Sequence, residues 1–111
     1  MTNYNHVICD FTYKGEMGGI YRKIKKAIEK SGLTVVGEYV HYFNPIGVSI
    51  VFILAESHLS IHTWEEEKKI NIDVFSCNKQ GEYENKSLNC VNLFLKQFDV
   101  SHKNIQIIQR E

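Results

Sequence analysis

Residues 54–78 read LAESHLSIHTWEEEKKINIDVFSCN, and five side chains there could do chemistry: Glu56, Ser57, His58, His62 and Cys77. An imidazole exchanges protons near neutral pH and can draw the proton from a hydroxyl, while a thiol can deliver a proton or attack a carbon. His58 and His62 could begin a zinc site, but no third ligand follows at a workable spacing, so no metal is expected. Taken singly, each residue has an ordinary structural use. Ser57 can end a strand, His62 can sit satisfied in a sheet, Cys77 can fill a small apolar space, and Glu65, Glu66 and Glu67 can form a solvated turn. Their concentration in and beside the most apolar part of the chain marks a candidate site.

The elements that must hold these residues are mostly strands. Residues 47–55 are almost continuously apolar, residues 59–64 alternate, residues 65–69 form a charged turn, and Ile70, Ile72 and Val74 alternate against Asn71, Asp73 and Phe75. Upstream, residues 5–12 set Val7 and Cys9 against His6 and Ile8, residues 14–19 turn the chain, and residues 34–43 are β-branched and aromatic until Asn44-Pro45. Met17, Ile20, Tyr21, Ile24, Ala27 and Ile28 recur at helical spacing before Ser31-Gly32; Leu88, Val91, Leu95 and Phe98 mark a second helix, and residues 104–109 a last short strand. The order β-α-β-β-β-β-α-β predicts an α+β fold: a largely antiparallel sheet with two helices on one face. Its other face would be covered by dimerisation into an αββα sandwich.

Strand alternation sends Leu59, Ile61, Ile70, Ile72 and Val74 toward the helices, and His58, Ser60, His62, Asp73, Phe75 and Cys77 to the free face. For Ser49, Val51 and Ile53 to share that face with His62, the alternation must slip once. A kink or bulge is expected at Glu56-Ser57, where apolar character lapses, and strained backbone beside a hydroxyl would suit chemistry.

The 111 residues suit one domain, 1–111. Thirteen Lys and Arg balance thirteen Asp and Glu, and no basic stripe interleaves with aromatics, which argues against nucleic-acid binding. Small molecules and other protein chains are the expected partners. Three cysteines without a CxxC pair or a signal-like leader point to a reducing, cytoplasmic setting. The longest apolar run is about half of a membrane-spanning helix, so no membrane is expected.

The segments GVS, LAESHLSIHTW and DVFSC, with the approach TVVGEYVHYF, resemble the small prokaryotic pyruvoyl-dependent S-adenosylmethionine decarboxylases over most of the chain. The resemblance implies self-cleavage between Glu56 and Ser57, giving a β chain of residues 1–56 and an α chain of residues 57–111. The cofactor would be a pyruvoyl group derived from Ser57, with no pyridoxal phosphate and no metal. Its ketone would form a Schiff base with the substrate amine and take up electrons as carbon dioxide leaves. By motif position, His62 and Ser49 would assist processing, Cys77 would donate the proton to the product, Phe43 and His62 would flank the adenine, and Glu66 would hold the ribose. The resemblance implies a homodimer of cleaved protomers, a substrate of S-adenosylmethionine and a role in making the aminopropyl donor for spermidine. The family's GRH-like and tryptophan-proline elements stand here as YNH and WEEE. These changes keep two other readings open: a pyruvoyl decarboxylase of ornithine, arginine or another amino acid, and a non-catalytic regulatory homologue.

Overall fold

The computed structural model describes residues 3–78 and 84–111. In chain order the elements are β1 (Asn3–Lys14), α1 (Ile20–Ser31), β2 (Val35–Tyr42), β3 (Val48–Leu54), β4 (Ser57–Trp64), β5 (Lys69–Asn78), α2 (Lys86–Leu95) and β6 (Asp99–Arg110). A short 3-10 turn, Glu65–Glu67, links β4 to β5. The strands form one sheet in the order β2-β3-β4-β5-β1-β6, antiparallel throughout, in agreement with the expected α+β architecture.

Alternation divides the sheet into two unlike faces. Val7, Cys9, Ile50, Phe52, Leu59, Ile61, Ile70, Ile72 and Val74 are buried, forming a common core with Ile24 and Ile28 of α1 and Val91 and Phe94 of α2. Both helices therefore cover the same side. The opposite side carries His58, Ser60, His62, Asp73, Phe75 and Cys77, none of them fully buried. The helix ends are set locally. Gly32 takes φ +82°, a left-handed cap that only glycine adopts cheaply, and the Leu33 N–H closes on the Ile28 carbonyl. At the other helix, the Asn85 side chain accepts the Leu88 N–H at 3.0 Å.

Several expectations are corrected. The break near Glu56-Ser57 is not a kink or bulge within one long strand: β3 and β4 fold back on each other as a hairpin, pairing Leu54 with Ser57 and Ser49 with His62. Two residues suffice for the turn, and the reversal itself supplies the slip in alternation. The first helix starts at Ile20, leaving Met17 outside it. The second ends at Leu95, yet Phe98 beyond it still packs against Phe94 and Phe11, with ring centroids 5.0 and 5.2 Å away. The last strand runs for twelve residues because it pairs along nearly all of β1, a long-range partnership invisible to local patterning.

Phe94 has no exposed surface and joins α2 to β1 through Phe11. Phe94→Ala should lower the unfolding free energy by about 3–5 kcal/mol in urea titrations. Burial pushes the Cys9 thiol up to about 11 and the Cys90 thiol up to about 12. In the native protein at pH 8 both should resist alkylation by iodoacetamide, and both should react once guanidinium unfolds the chain, as peptide mass mapping would show.

Candidate active site

One cluster forms around the hairpin turn. The Ala55 N–H donates to the Thr34 carbonyl at 2.9 Å, and the Thr34 N–H donates to Glu56 Oε1 at 3.0 Å, tying the turn to the start of β2. From the other side, the Cys77 N–H of β5 donates to the main-chain carbonyl of Glu56 at 3.3 Å. The peptide between Glu56 and Ser57 is therefore held across two neighbouring strands, with its carbonyl oxygen facing a donor. Ser57 has φ +156°, a value that side-chain-bearing residues rarely adopt. Its hydroxyl lies 3.2 Å from Nδ1 of His58. Cys77, half-buried, pairs with Tyr4 of β1 and belongs to the free face.

A second cluster lies at the far end of the same hairpin. Ser49 Oγ is 2.6 Å from His62 Nδ1 across the β3–β4 pair. The His62 ring meets Trp64 at 4.4 Å and Phe43 at 5.5 Å between centroids, both edge-on. Phe43 follows β2, and its N–H donates to the Gly47 carbonyl at 2.8 Å, closing the loop before β3. Gly47 takes φ +114°, which a side chain would strain. Glu66 stands exposed in the 3-10 turn, and with Phe43, Ile46, His62 and Trp64 it lines a cavity of about 240 Å³. The Trp64 indole N–H donates to Asn71 Oδ1 at 2.6 Å, and Asn71 Nδ2 donates to Asp10 Oδ1, also at 2.6 Å.

Between the two ends runs a polar network that crosses four strands. Asp73 accepts from the Ser60 hydroxyl and pairs with His6 Nε2 at 2.8 Å. Arg110 donates to His6 Nδ1 at 3.4 Å and lies over the Phe75 ring at 4.8 Å. His58 packs against Phe75 and His6, with centroids 5.6 and 6.3 Å apart.

The residues singled out from sequence thus fall into two groups. Glu56, Ser57 and Cys77 meet at one end of the hairpin; Ser49, His62, Phe43 and Glu66 meet at the other. Ser57 and His62 stand five positions apart on β4, roughly 17 Å along an extended strand. Within one protomer these groups do not converge. Among the described residues no three metal-ligating side chains cluster. Sequence reasoning weighed His58 only as a zinc ligand and overlooked its contact with Ser57. Regular alternation points neighbours to opposite faces, and the contact occurs where the backbone departs at Ser57.

The family model described as S-adenosylmethionine decarboxylase matches residues 5–111. The chain is 39% identical over 75 residues to the S-adenosylmethionine decarboxylase proenzyme of Archaeoglobus fulgidus, covering 68% of this chain and 63% of that one. It is 32% identical over 102 residues to the proenzyme of Pyrococcus horikoshii, covering 92% and 70%. The matched stretch therefore spans a little under two thirds of the Archaeoglobus relative. The crystal structure of the adenosylmethionine decarboxylase from Aquifex aeolicus superposes with a TM-score of 0.83 at 25% identity, covering 98% of this chain and 91% of that one. With a family model matching nearly end to end and the same fold in a solved relative, the chain belongs to the S-adenosylmethionine decarboxylase family.

Proposed function

We propose that the protein is a self-processing, pyruvoyl-dependent decarboxylase of S-adenosylmethionine, working in the cytoplasm to supply the aminopropyl donor for spermidine. The observation that carries the proposal is the Glu56-Ser57 peptide, which combines a backbone departure at Ser57, a hydroxyl side chain and a carbonyl held by the Cys77 N–H. Ser57 Oγ adds to the Glu56 carbonyl carbon, the bond from that carbon to Ser57 N breaks, and an ester replaces the amide. The Cys77 N–H points at the oxygen on which charge develops. Loss of the Ser57 α-proton then expels the Glu56 carboxylate, and water hydrolyses the dehydroalanine, releasing ammonia and leaving a pyruvoyl group at the head of residues 57–111.

That group's ketone supplies the electron sink for decarboxylation. The chain's own residues do the rest. Cys77 delivers a proton to the carbon that has lost carbon dioxide. Phe43 and His62 offer ring faces to an adenine and to a sulfonium, a contact worth roughly 0.5–2 kcal/mol. Glu66 accepts hydrogen bonds from ribose hydroxyls. A carboxylate beside a ring-walled cavity suits a nucleoside-bearing substrate better than ornithine or arginine.

Two protomers are needed. His62, oriented by Ser49, would take the α-proton of Ser57, yet in one chain the two stand at opposite ends of β4. The free face also exposes Tyr39, Val51 and Ile53 at 67%, 41% and 50%. A two-fold axis lying between stacked sheets and across their strands covers this face and lays the Ser57 end of one copy over the His62 end of the other. Each site then takes Ser57 and Cys77 from one protomer, and Ser49, His62, Phe43 and Glu66 from its partner.

Intact-mass measurement on purified protein should give two fragments, the C-terminal one blocked by pyruvoyl; an unbroken chain after prolonged warming would end the proposal. Ser57→Ala should stay uncut. Cys77→Ala should still cut, since the donor to Glu56 is main-chain, but release carbon dioxide from S-adenosylmethionine at least about 10²-fold more slowly; ornithine and arginine should release none. Ser57→Ala and His62→Ala should each stay uncut alone. Co-expressed, they should form mixed dimers in which the His62→Ala chain is cut, because its Ser57 meets an intact His62.

A further inference from the structure

Maturation takes two protons from Ser57, one from Oγ and one from the α-carbon, and within the protomer being cut His62 stands beside neither. In the protomer that holds the scissile bond, His62 lies roughly 17 Å from Ser57 along β4, and its Nδ1 already bonds Ser49. The imidazole at the nucleophile is that of His58, with Nδ1 3.2 Å from Ser57 Oγ. On a regular strand consecutive side chains point to opposite faces, so this contact is not what the sheet supplies by default. Ser57 carries the one backbone departure within β4, φ +156°, and there the hydroxyl meets the next residue's ring. The ring is itself held: it packs against Phe75 of β5 and His6 of β1, and His6 is bonded to Asp73 and Arg110.

From this arrangement we infer that His58 is the catalytic base of the first cleavage step. Nδ1 of His58 takes the Ser57 Oγ proton as the oxygen bonds to the Glu56 carbonyl carbon, and the imidazolium returns that proton to Ser57 N as the carbon–nitrogen bond breaks. No proton is gained or lost overall, and no other reactant is required. Oγ, Nδ1 and the Cys77 N–H then form a nucleophile, base and oxyanion donor around one carbonyl. The assignment rests on the self-cleavage reading above and adds to it a residue that works within the protomer being cut.

The test follows the full-length chain after cell-free synthesis, pulse-labelled and sampled on gels, with the wild type alongside. The wild-type chain should cut during the chase. His58→Ala should cut about 10²–10⁴-fold more slowly, and added imidazole should restore part of the rate. His58→Gln, whose amide can accept the Ser57 hydrogen bond but cannot carry the proton, should remain slow; it decides the matter if the alanine variant fails to fold. Cleavage of either variant at the wild-type rate, or a slow alanine variant that imidazole leaves unchanged, overturns the role of His58 and leaves the decarboxylase reading standing. A wild-type chain that never cuts overturns both.

Discussion

Three hydrogen bonds on the reversal between Leu54 and Ser57 fix most of what matters in this molecule. One joins Ala55 to Thr34, one joins Thr34 to the Glu56 carboxylate, and one joins Cys77 to the Glu56 carbonyl. They hold a two-residue turn between strands that pair in full register, so Ser49, Val51 and Ile53 face the same way as His62, Ser60 and His58. A turn longer or shorter by one residue would send one of these sets into the core and the apolar residues out to the free face. The turn thus decides which side chains can serve a site, and it places the Glu56-Ser57 peptide where two strands grip it.

The second constraint is the one-sided covering of the sheet. With both helices packed on Phe52, Leu59, Ile61 and their neighbours, the other face is left to a mixture of exposed apolar residues and a hydrogen-bonded network from Ser60 through Asp73 and His6 to Arg110. Such a network is well suited to burial, because its polar atoms already have partners and need not lose water unpaired. On the dimer proposed above, a second copy covers the face over side chains that already hold one another. On the same reading, the two clusters of candidate side chains, at opposite ends of one hairpin, are completed by that covering.

Much of this was legible from side-chain periodicity. The element order, the one-sided helices and the division of residues 58–77 between two faces follow from spacing alone, because the 2.0 and 3.6 periods report directly on which side is buried. Less local features were not legible. The apolar run of residues 47–55 is compatible with a strand that continues or one that doubles back, and only pairing with β4 settles the choice. The extent of β6 depends on β1, almost a hundred residues away. Residue types identified Ser57, His62 and Cys77 as chemically capable and the family resemblance added Ser49, but neither carries distances, so their separation into two groups stayed hidden. His58 was passed over for a sharper reason: the rule that neighbours on a strand face apart is sound, and Ser57 breaks it by a dihedral that no pattern of letters encodes. The bridge from Trp64 through Asn71 to Asp10 escaped notice similarly, since it joins three strands whose register had first to be known.

Placing the two bases apart has a chemical consequence on the reading proposed above. Conversion of an amide to an ester by a neighbouring hydroxyl runs uphill and back again, so a protomer holding only Ser57, His58 and the Cys77 N–H can visit the ester without being committed to it. Commitment comes with loss of the Ser57 α-proton, because elimination breaks the link between the two halves of the chain and the reverse reaction has no tether. That proton falls to His62, which reaches the bond only from a second copy. Cutting the turn between β3 and β4 before the sheet is covered would leave the two pieces free to part and bare their paired edges. Dividing the reversible step from the irreversible one between protomers ties the cut to assembly, when the two new chain ends are already held by β2, β5 and the opposing sheet.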